Sequence, residues 1–249
     1  MKISIVIPVL NSHEIVRRQV LFFKSMDLPD DVEIIYVDDG SDPPFKQENY
    51  DLKNFRFIWT HDKRPWTWAL ARNRGAEAAN GEYLIMTDLD YIIPKELIEF
   101  VRNFDGQYMG FRREFGVLTV NGTFTQDIDI LESWGYDRSR YHERGFSMPA
   151  HTNNFALLRS LFFEMGGYRE DRIGLPYPQG EDNDWRKKRR RWEKAGKLKL
   201  LADDLRPVIY MFPNGRWGGD VDFNPFGMFH NLSRKSWKNP FVKDLRISA

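Results

Sequence analysis

The sequence predicts an α/β fold built on a mostly parallel central sheet flanked by helices. Three observations predict it. Short β-branched runs alternate with helical stretches over roughly the first hundred residues, each run stops at a polar or proline-containing turn, and acidic residues gather just past the ends of two runs. Taken in order, Ile3 to Ile7 is β-branched and ends at Pro8, which makes it the first strand. Asn11, with Glu14 three residues on, predicts an N-cap and a helix whose apolar face is Val16, Val20 and Phe23. Val32 to Val37 is the second strand, closed by the turn Asp38-Asp39-Gly40-Ser41-Asp42, and Phe55 to Trp59 is the third. Trp68 to Ala79 is Ala-rich and helical, with Asn80-Gly81 expected as its C-cap. Tyr83 to Thr87 is a fourth buried strand running into Asp88-Leu89-Asp90. Strands separated by helices imply βαβ units, whose ligand site lies at the carboxyl ends of the strands, where Asp39 and the pair Asp88 and Asp90 stand. Beyond about Phe104 the pattern loosens, and a clear helix returns only from Asp182 to about Ala195. This half reads as an elaboration of the same sheet, with a separate small α+β domain as the alternative.

Composition bounds the chemistry. The 249 residues carry 37 Lys+Arg against 36 Asp+Glu, a net charge of +1, which is an ordinary globular balance and offers no global case for nucleic acid. Cysteine is absent, so disulfides, thiolate zinc sites and a cysteine nucleophile are excluded, and any metal must sit on carboxylate or imidazole. The N-terminal apolar run is too short for a signal segment, and no stretch approaches the ~20 apolar residues that span a bilayer. The expected location is therefore cytoplasmic, with peripheral contact at a membrane surface left open. No internal repeat occurs, but Arg186 to Arg191 is an unbroken basic run.

Asp88-Leu89-Asp90 places two carboxylates on one side of an extended turn, because alternate side chains point the same way. Such a pair suits a hard divalent cation that bridges phosphate oxygens, although solvated turn acids would have the same composition. The order of motifs is more specific. Ser4-Ile5-Val6-Ile7-Pro8-Val9-Leu10-Asn11, Val37-Asp38-Asp39-Gly40-Ser41-Asp42, Ala71-Arg72-Asn73-Arg74-Gly75, Asn80-Gly81-Glu82-Tyr83, Asp88-Leu89-Asp90 and Gly180-Glu181-Asp182-Asn183-Asp184-Trp185 follow one another. Over roughly residues 1 to 200 this series resembles the family 2 type of inverting glycosyltransferase with the GT-A fold. Asp88 to Pro94, Gly180-Glu181-Asp182 and Met228 to Lys235 also look like motifs of β-1,4-galactosyltransferases and of the catalytic domains of polypeptide N-acetylgalactosaminyltransferases.

The resemblance implies one GT-A domain over 1–249, with 1–104 the nucleotide-binding half and 105–249 the acceptor-binding half. It implies a metal-dependent inverting transfer of a hexose or N-acetylhexosamine from a UDP-sugar to a hydroxyl acceptor. Mn²⁺, or Mg²⁺, would sit on Asp90 and His230, with Asp88 facing the ribose and the metal's water shell. Pro8 would border the nucleotide, Asp39 would accept the uracil N3–H, and Arg72 would reach the diphosphate. Asp182 would be the general base and Glu181 would orient acceptor or donor sugar.

Plainer roles stand beside these. Asp39 can simply form its turn with Gly40, Asp182 can cap a helix, and His230 can pack beside Phe229 and Trp237. Trp217, central in the loop Asn214 to Asp220, fits a lid over the donor sugar or an ordinary surface loop. The acceptor is expected to be a glycan, lipid-linked or other hydroxyl compound. The basic run between Trp185 and Trp192 reads either as a solvated face or as a surface for an anionic acceptor, a membrane headgroup layer or nucleic acid. A nucleotidyltransferase and a non-catalytic carbohydrate- or nucleic-acid-binding protein are the rival functions. The first would need a Gly-rich basic phosphate loop, which Pro8-Val9-Leu10-Asn11-Ser12 is not.

Overall fold

The computed structural model describes residues 1–62, 64, 67–134, 136, 138, 147–148, 150–171, 173 and 181–213. The first half is β1 (Ile3–Val9), α1 (His13–Ser25), β2 (Val32–Asp38), β3 (Phe55–Trp59), α2 (Trp68–Ala78), β4 (Tyr83–Met86), β5 (Tyr91–Ile92) and α3 (Lys95–Arg102). There follow β6 (Tyr108–Gly110), β7 (Arg112–Phe115), β8 (Val117–Leu118), β9 (Phe124–Thr125), α4 (Ile128–Ser133) and β10 (Ser147–Met148). The described chain then continues through β11 (Phe155–Leu158), α5 (Arg159–Glu164), α6 (Glu181–Lys194) and β12 (Val208–Met211).

The main sheet has the order β3-β2-β1-β4-β11-β6. Its first four strands are parallel, β11 adds antiparallel to β4, and β6 pairs antiparallel with β11 and so runs with the first four. The second half thus builds on the first sheet, and adds a four-stranded sheet β10-β7-β12-β5. Strands buried on both faces send alternate residues to opposite sides. Ile3, Ile5, Ile7 and Val9 of β1 join the core that holds Val16, Val20 and Phe23 of α1 and Leu97 and Val101 of α3. Val6, Val37, Leu84, Met86 and Phe155 face the opposite core, which holds Ala71 and Ala76 of α2, Phe162 of α5 and Trp185 of α6.

Two helix boundaries differ from expectation. Asn11 does not cap α1: Ser12 holds that position without a side-chain bond, while Asn11 takes a φ of 52° and its Oδ1 accepts from the Asp42 N–H at 2.7 Å. The Asn side chain thus ties the β1 and β2 loops together, a longer-range use of the same amide. Nor does Gly81 close α2 in a left-handed turn, since Ala79 leaves the helix in extended conformation. Gly81 instead lies against β1, where an added Cβ would come within 2.5 Å of the Ser4 backbone nitrogen. Among the described residues no helix is long and apolar enough to cross a membrane.

Candidate active site

The strand order reverses at β1, with β2 and β3 on one side and β4 on the other, so the crevice for a ligand opens between the carboxyl ends of β1 and β4. Pro8 helps to open it. The Val6 carbonyl accepts from the Thr87 N–H at 3.4 Å, and the next donor on that edge would be the N–H of residue 8, which proline lacks. Pro8 itself is buried within β1, in register with Val37. The turn after β4 is held from behind by Gln19 of α1. Its Nε2 donates to the Leu89 and Tyr91 carbonyls, both at 2.8 Å, and its Oε1 accepts from the Tyr36 hydroxyl at 2.5 Å.

At the mouth of the crevice, α2 delivers Arg72, only 2% exposed, whose Nη2 forms an ion pair with Asp88. The guanidinium lies over the Tyr168 ring at 5.4 Å, and its Nε has no hydrogen-bond partner. Burial works against the Arg72 charge, but Asp88, Glu181 and Asp182 draw its pKa above the usual arginine value. Across from Arg72, His151 places Nδ1 3.6 Å from Asp88 Oδ2 and stacks on Tyr91 at 6.3 Å and 27°. Burial lowers the His151 pKa, with Asp88 opposing. The Tyr91 hydroxyl accepts from Arg113 Nη1 at 2.7 Å, and its pKa is raised, first by burial and then by Asp90. The first turn of α6 faces the same group. Glu181 is raised above the ordinary carboxylate value by burial, against the pull of Arg72, while Asp182 accepts from the Asn183 N–H at 2.8 Å.

The structure therefore brings Arg72, Asp88, Glu181 and Asp182 together, as the motif order implies. Asp90 continues the same turn, and its carbonyl accepts from the Phe212 N–H at 2.8 Å, which ties the end of β12 to it. Asp39 stands at the end of β2 but is 1% exposed, its carboxylate accepting from Thr67 Oγ1 at 2.6 and 2.5 Å and from Thr60 Oγ1 at 3.1 Å. Trp217 and His230 lie outside the described residues. Among the described residues no group of three or more His, Asp or Glu side chains is placed to hold a metal ion. Asp88 and Asp90 supply oxygen donors of the kind a hard cation takes, so the donors match in type, while a third must come from elsewhere.

His151, Tyr168, Arg113 and Gln19 escaped the sequence reading. The available signal for His151 was the polar stretch His151-Thr152-Asn153-Asn154 just before the apolar run of β11, whereas Asp39 and Asp88 stood out by following the carboxyl ends of theirs. Asn154 donates nothing through its buried Nδ2, while its Oδ1 accepts from Thr87 Oγ1 at 2.9 Å.

Comparison with known proteins places this architecture. The family described as Glycosyl transferase family 2 matches residues 4–166. A Bacillus subtilis (strain 168) protein named as the uncharacterized glycosyltransferase YfnE is 30% identical over 99 residues, which is 39% of this chain and 25% of that protein. Staphylococcus aureus TarS 1-349, solved in complex with UDP-GlcNAc, superposes with a TM-score of 0.52 at 19% identity, covering 84% of this chain and 58% of that one. The mannosyltransferase PcManGT from Pyrobaculum calidifontis, solved with GDP-Man and Mn²⁺, gives 0.53 at 16% identity, covering 86% and 58%. The chain thus spans about a quarter of that curated relative and under two thirds of these solved chains. The likeness to the solved structures establishes the GT-A fold. With more than half of its length matched in sequence, the chain belongs to glycosyl transferase family 2.

Proposed function

We propose that the protein transfers a hexose or N-acetylhexosamine from a UDP-sugar to a hydroxyl acceptor, with inversion, in the crevice between β1 and β4. The observation that carries this reading is the convergence of Arg72, Asp88, His151, Glu181 and Asp182 at the carboxyl end of β4. Nucleotide-sugar complexes of TarS and PcManGT support the donor class, and the Mn²⁺ in the latter supports a metal. Asp90 and His230, with Asp88 beside them, would hold that cation, which when bound supplies positive charge to the departing diphosphate. Arg72, already paired with Asp88, would share its desolvated charge between that carboxylate and the diphosphate. Asp39 meets the uracil N3–H by exchanging its longer bond from Thr60, and Trp217 closes over the sugar.

Asp182 takes the acceptor proton as the hydroxyl attacks, with Glu181 orienting the sugars. One observation favours exchanging these two roles: burial raises Glu181 toward a better proton acceptor, whereas Asp182 already spends an oxygen on the Asn183 N–H. The test is hydrolysis and transfer with UDP- and GDP-sugars, followed by calorimetry of UDP with Mn²⁺ or EDTA for wild type and Asp90→Asn. Metal-dependent binding that the variant loses is expected. Equal affinity with and without metal would overturn the cation, and retention of anomeric configuration would overturn the single displacement. The same measurement separates the rivals: a binding protein hydrolyses no donor, and a nucleotidyltransferase releases pyrophosphate.

A further inference from the structure

Helix α6 links the candidate site to the outer surface. Its buried side is formed by residues spaced i, i+3, i+4 and i+7: Trp185, Lys188, Arg189 and Trp192. Trp185 stacks on Phe155 and Tyr168, Lys188 donates to the Gly166 carbonyl at 3.1 Å, and Arg189 lies over Tyr108 at 5.5 Å while pairing with Glu193. Two cations of the basic run are thus absorbed by packing. The opposite face has the same spacing and a different content, with Lys187, Arg190, Arg191 and Lys194 all exposed. None of the four meets a carboxylate within ion-pair distance among the described residues. Four like charges on one face repel each other, a cost that Arg191 and Lys194 partly recover in the last turn, where the helix dipole favours cations, and that a partner of opposite sign would remove.

Position and composition identify that partner. At ~1.5 Å per residue, Lys187 lies about 9 Å and Lys194 about 20 Å along the helix from Glu181. The cations therefore begin beyond the reacting group and recede from it in a line. The stripe contains no apolar side chain, and the apolar face of α6 is already packed on the sheet, so it lacks what an interfacial helix inserts into lipid. We infer that the outer face of α6 binds an extended, water-soluble acceptor chain that carries anionic groups at positions remote from the reacting hydroxyl. This inference rests on the proposed transfer at Glu181 and Asp182 and assigns the substrate class of that same site.

The experiment measures binding of labelled polyphosphate by anisotropy, for wild type and for a variant with Lys187→Gln, Arg190→Gln, Arg191→Gln and Lys194→Gln. Between about 50 and 200 mM salt the wild-type log K should fall with a slope of roughly −3, four cations at ~0.7 each, and the variant should bind roughly tenfold or more weakly with a slope near zero. Saturating UDP should displace no polyphosphate, and UDP-sugar hydrolysis should be equal in the two proteins. A variant with the wild-type slope, or displacement by UDP, overturns the inference. Tighter binding to phosphatidylglycerol vesicles or to single-stranded DNA than to polyphosphate also overturns it, since the face then serves a membrane or a nucleic acid. Absence of both donor hydrolysis and sugar transfer in wild type refutes the transferase reading, and the bound chain is then no acceptor, while the slope still decides whether the face binds anions.

Discussion

Replacing Gln19 by Leu tests whether the turn bearing Asp88 and Asp90 is held from behind. The substitution roughly conserves volume but removes two donors and one acceptor from a residue that is 2% exposed. The Leu89 and Tyr91 carbonyls each lose a 2.8 Å bond and the Tyr36 hydroxyl loses its 2.5 Å acceptor. A buried group left unsatisfied costs about 1–3 kcal/mol, so three such groups set a range of roughly 3–9 kcal/mol. Better packing of an apolar side chain and local relaxation favour the low end, about 3–4 kcal/mol, which leaves a domain of ordinary stability folded. Tyr36→Phe removes one bond without orphaning a charge and should cost about 1 kcal/mol. The pair is coupled: once the hydroxyl is gone, Gln19→Leu orphans one group fewer, and the double mutant should be more stable than the sum by about 1–3 kcal/mol. Urea denaturation at constant m reads all three values, and UDP calorimetry reads the consequence for the turn. A cost below about 1 kcal/mol for Gln19→Leu, or strict additivity, would refute the clamp.

Other expectations follow from single contacts. Hydrogen bonding to Arg17 holds Glu14 down from its ordinary 4.5 to about 2, so its stabilisation is present above the unfolded value and lost as pH falls through about 2. Because its side chain is 36% exposed, Glu14→Gln should cost at most about 1 kcal/mol at pH 7 and nothing at low pH, and a pH-independent difference in melting would contradict this. Gly75 lets α2 lie on the sheet, since an added Cβ would stand 2.2 Å from Val6 Cγ1 and 3.0 Å from Val37 Cγ2. Gly75→Ala should lose about 1–3 kcal/mol by overpacking despite the ~1 kcal/mol gain in helix propensity, and chemical denaturation showing stabilisation would disprove the close approach. Asp182→Asn should keep donor affinity while lowering kcat by ~10² to 10⁴, and a smaller effect than Glu181→Gln would give the base to Glu181.

The parts of the fold that were legible are those where burial on both faces writes a continuous apolar run. β1, β2 and β4 are such strands, and each carries its functional turn at the carboxyl end. The strands β5 to β10 and β12 have two to four residues each, too short for a period to emerge, and they are fixed by neighbours far away in sequence, as Met211 is by Tyr91. The same division runs through the site. Arg72, Asp88, Glu181 and Asp182 sit in ordered motifs, so sequence alone groups them. His151 joins them because β11 adds antiparallel beside β4, with Phe155 opposite Met86, a pairing no local pattern encodes. Asn11 and Gly81 show a third case, where residue type was read correctly as special and its use was tertiary rather than local.

The charges around His151 bear on the proposed cation. Arg72 is committed to Asp88, while Asp90, Glu181 and Asp182 act on the same small region, where Arg113 is the other cation that reaches His151 and Tyr91. Two unit charges 4 Å apart interact by about 4 kcal/mol at an effective dielectric of 20, so a diphosphate entering beside these carboxylates needs added positive charge or fewer negative ones. A divalent ion provides the first. A proton on Glu181, whose pKa burial already raises, provides the second. The two routes differ in their proton balance. UDP binding in EDTA should take up a proton and weaken as pH rises through the Glu181 titration, whereas binding with Mn²⁺ should take up none, because the ion compensates the charge. Calorimetry in buffers of different ionisation enthalpy counts the protons directly. Equal uptake with and without Mn²⁺, or undiminished binding in EDTA at high pH, would show that Arg72 and Arg113 suffice and that the carboxylates lie too far from the diphosphate to oppose it.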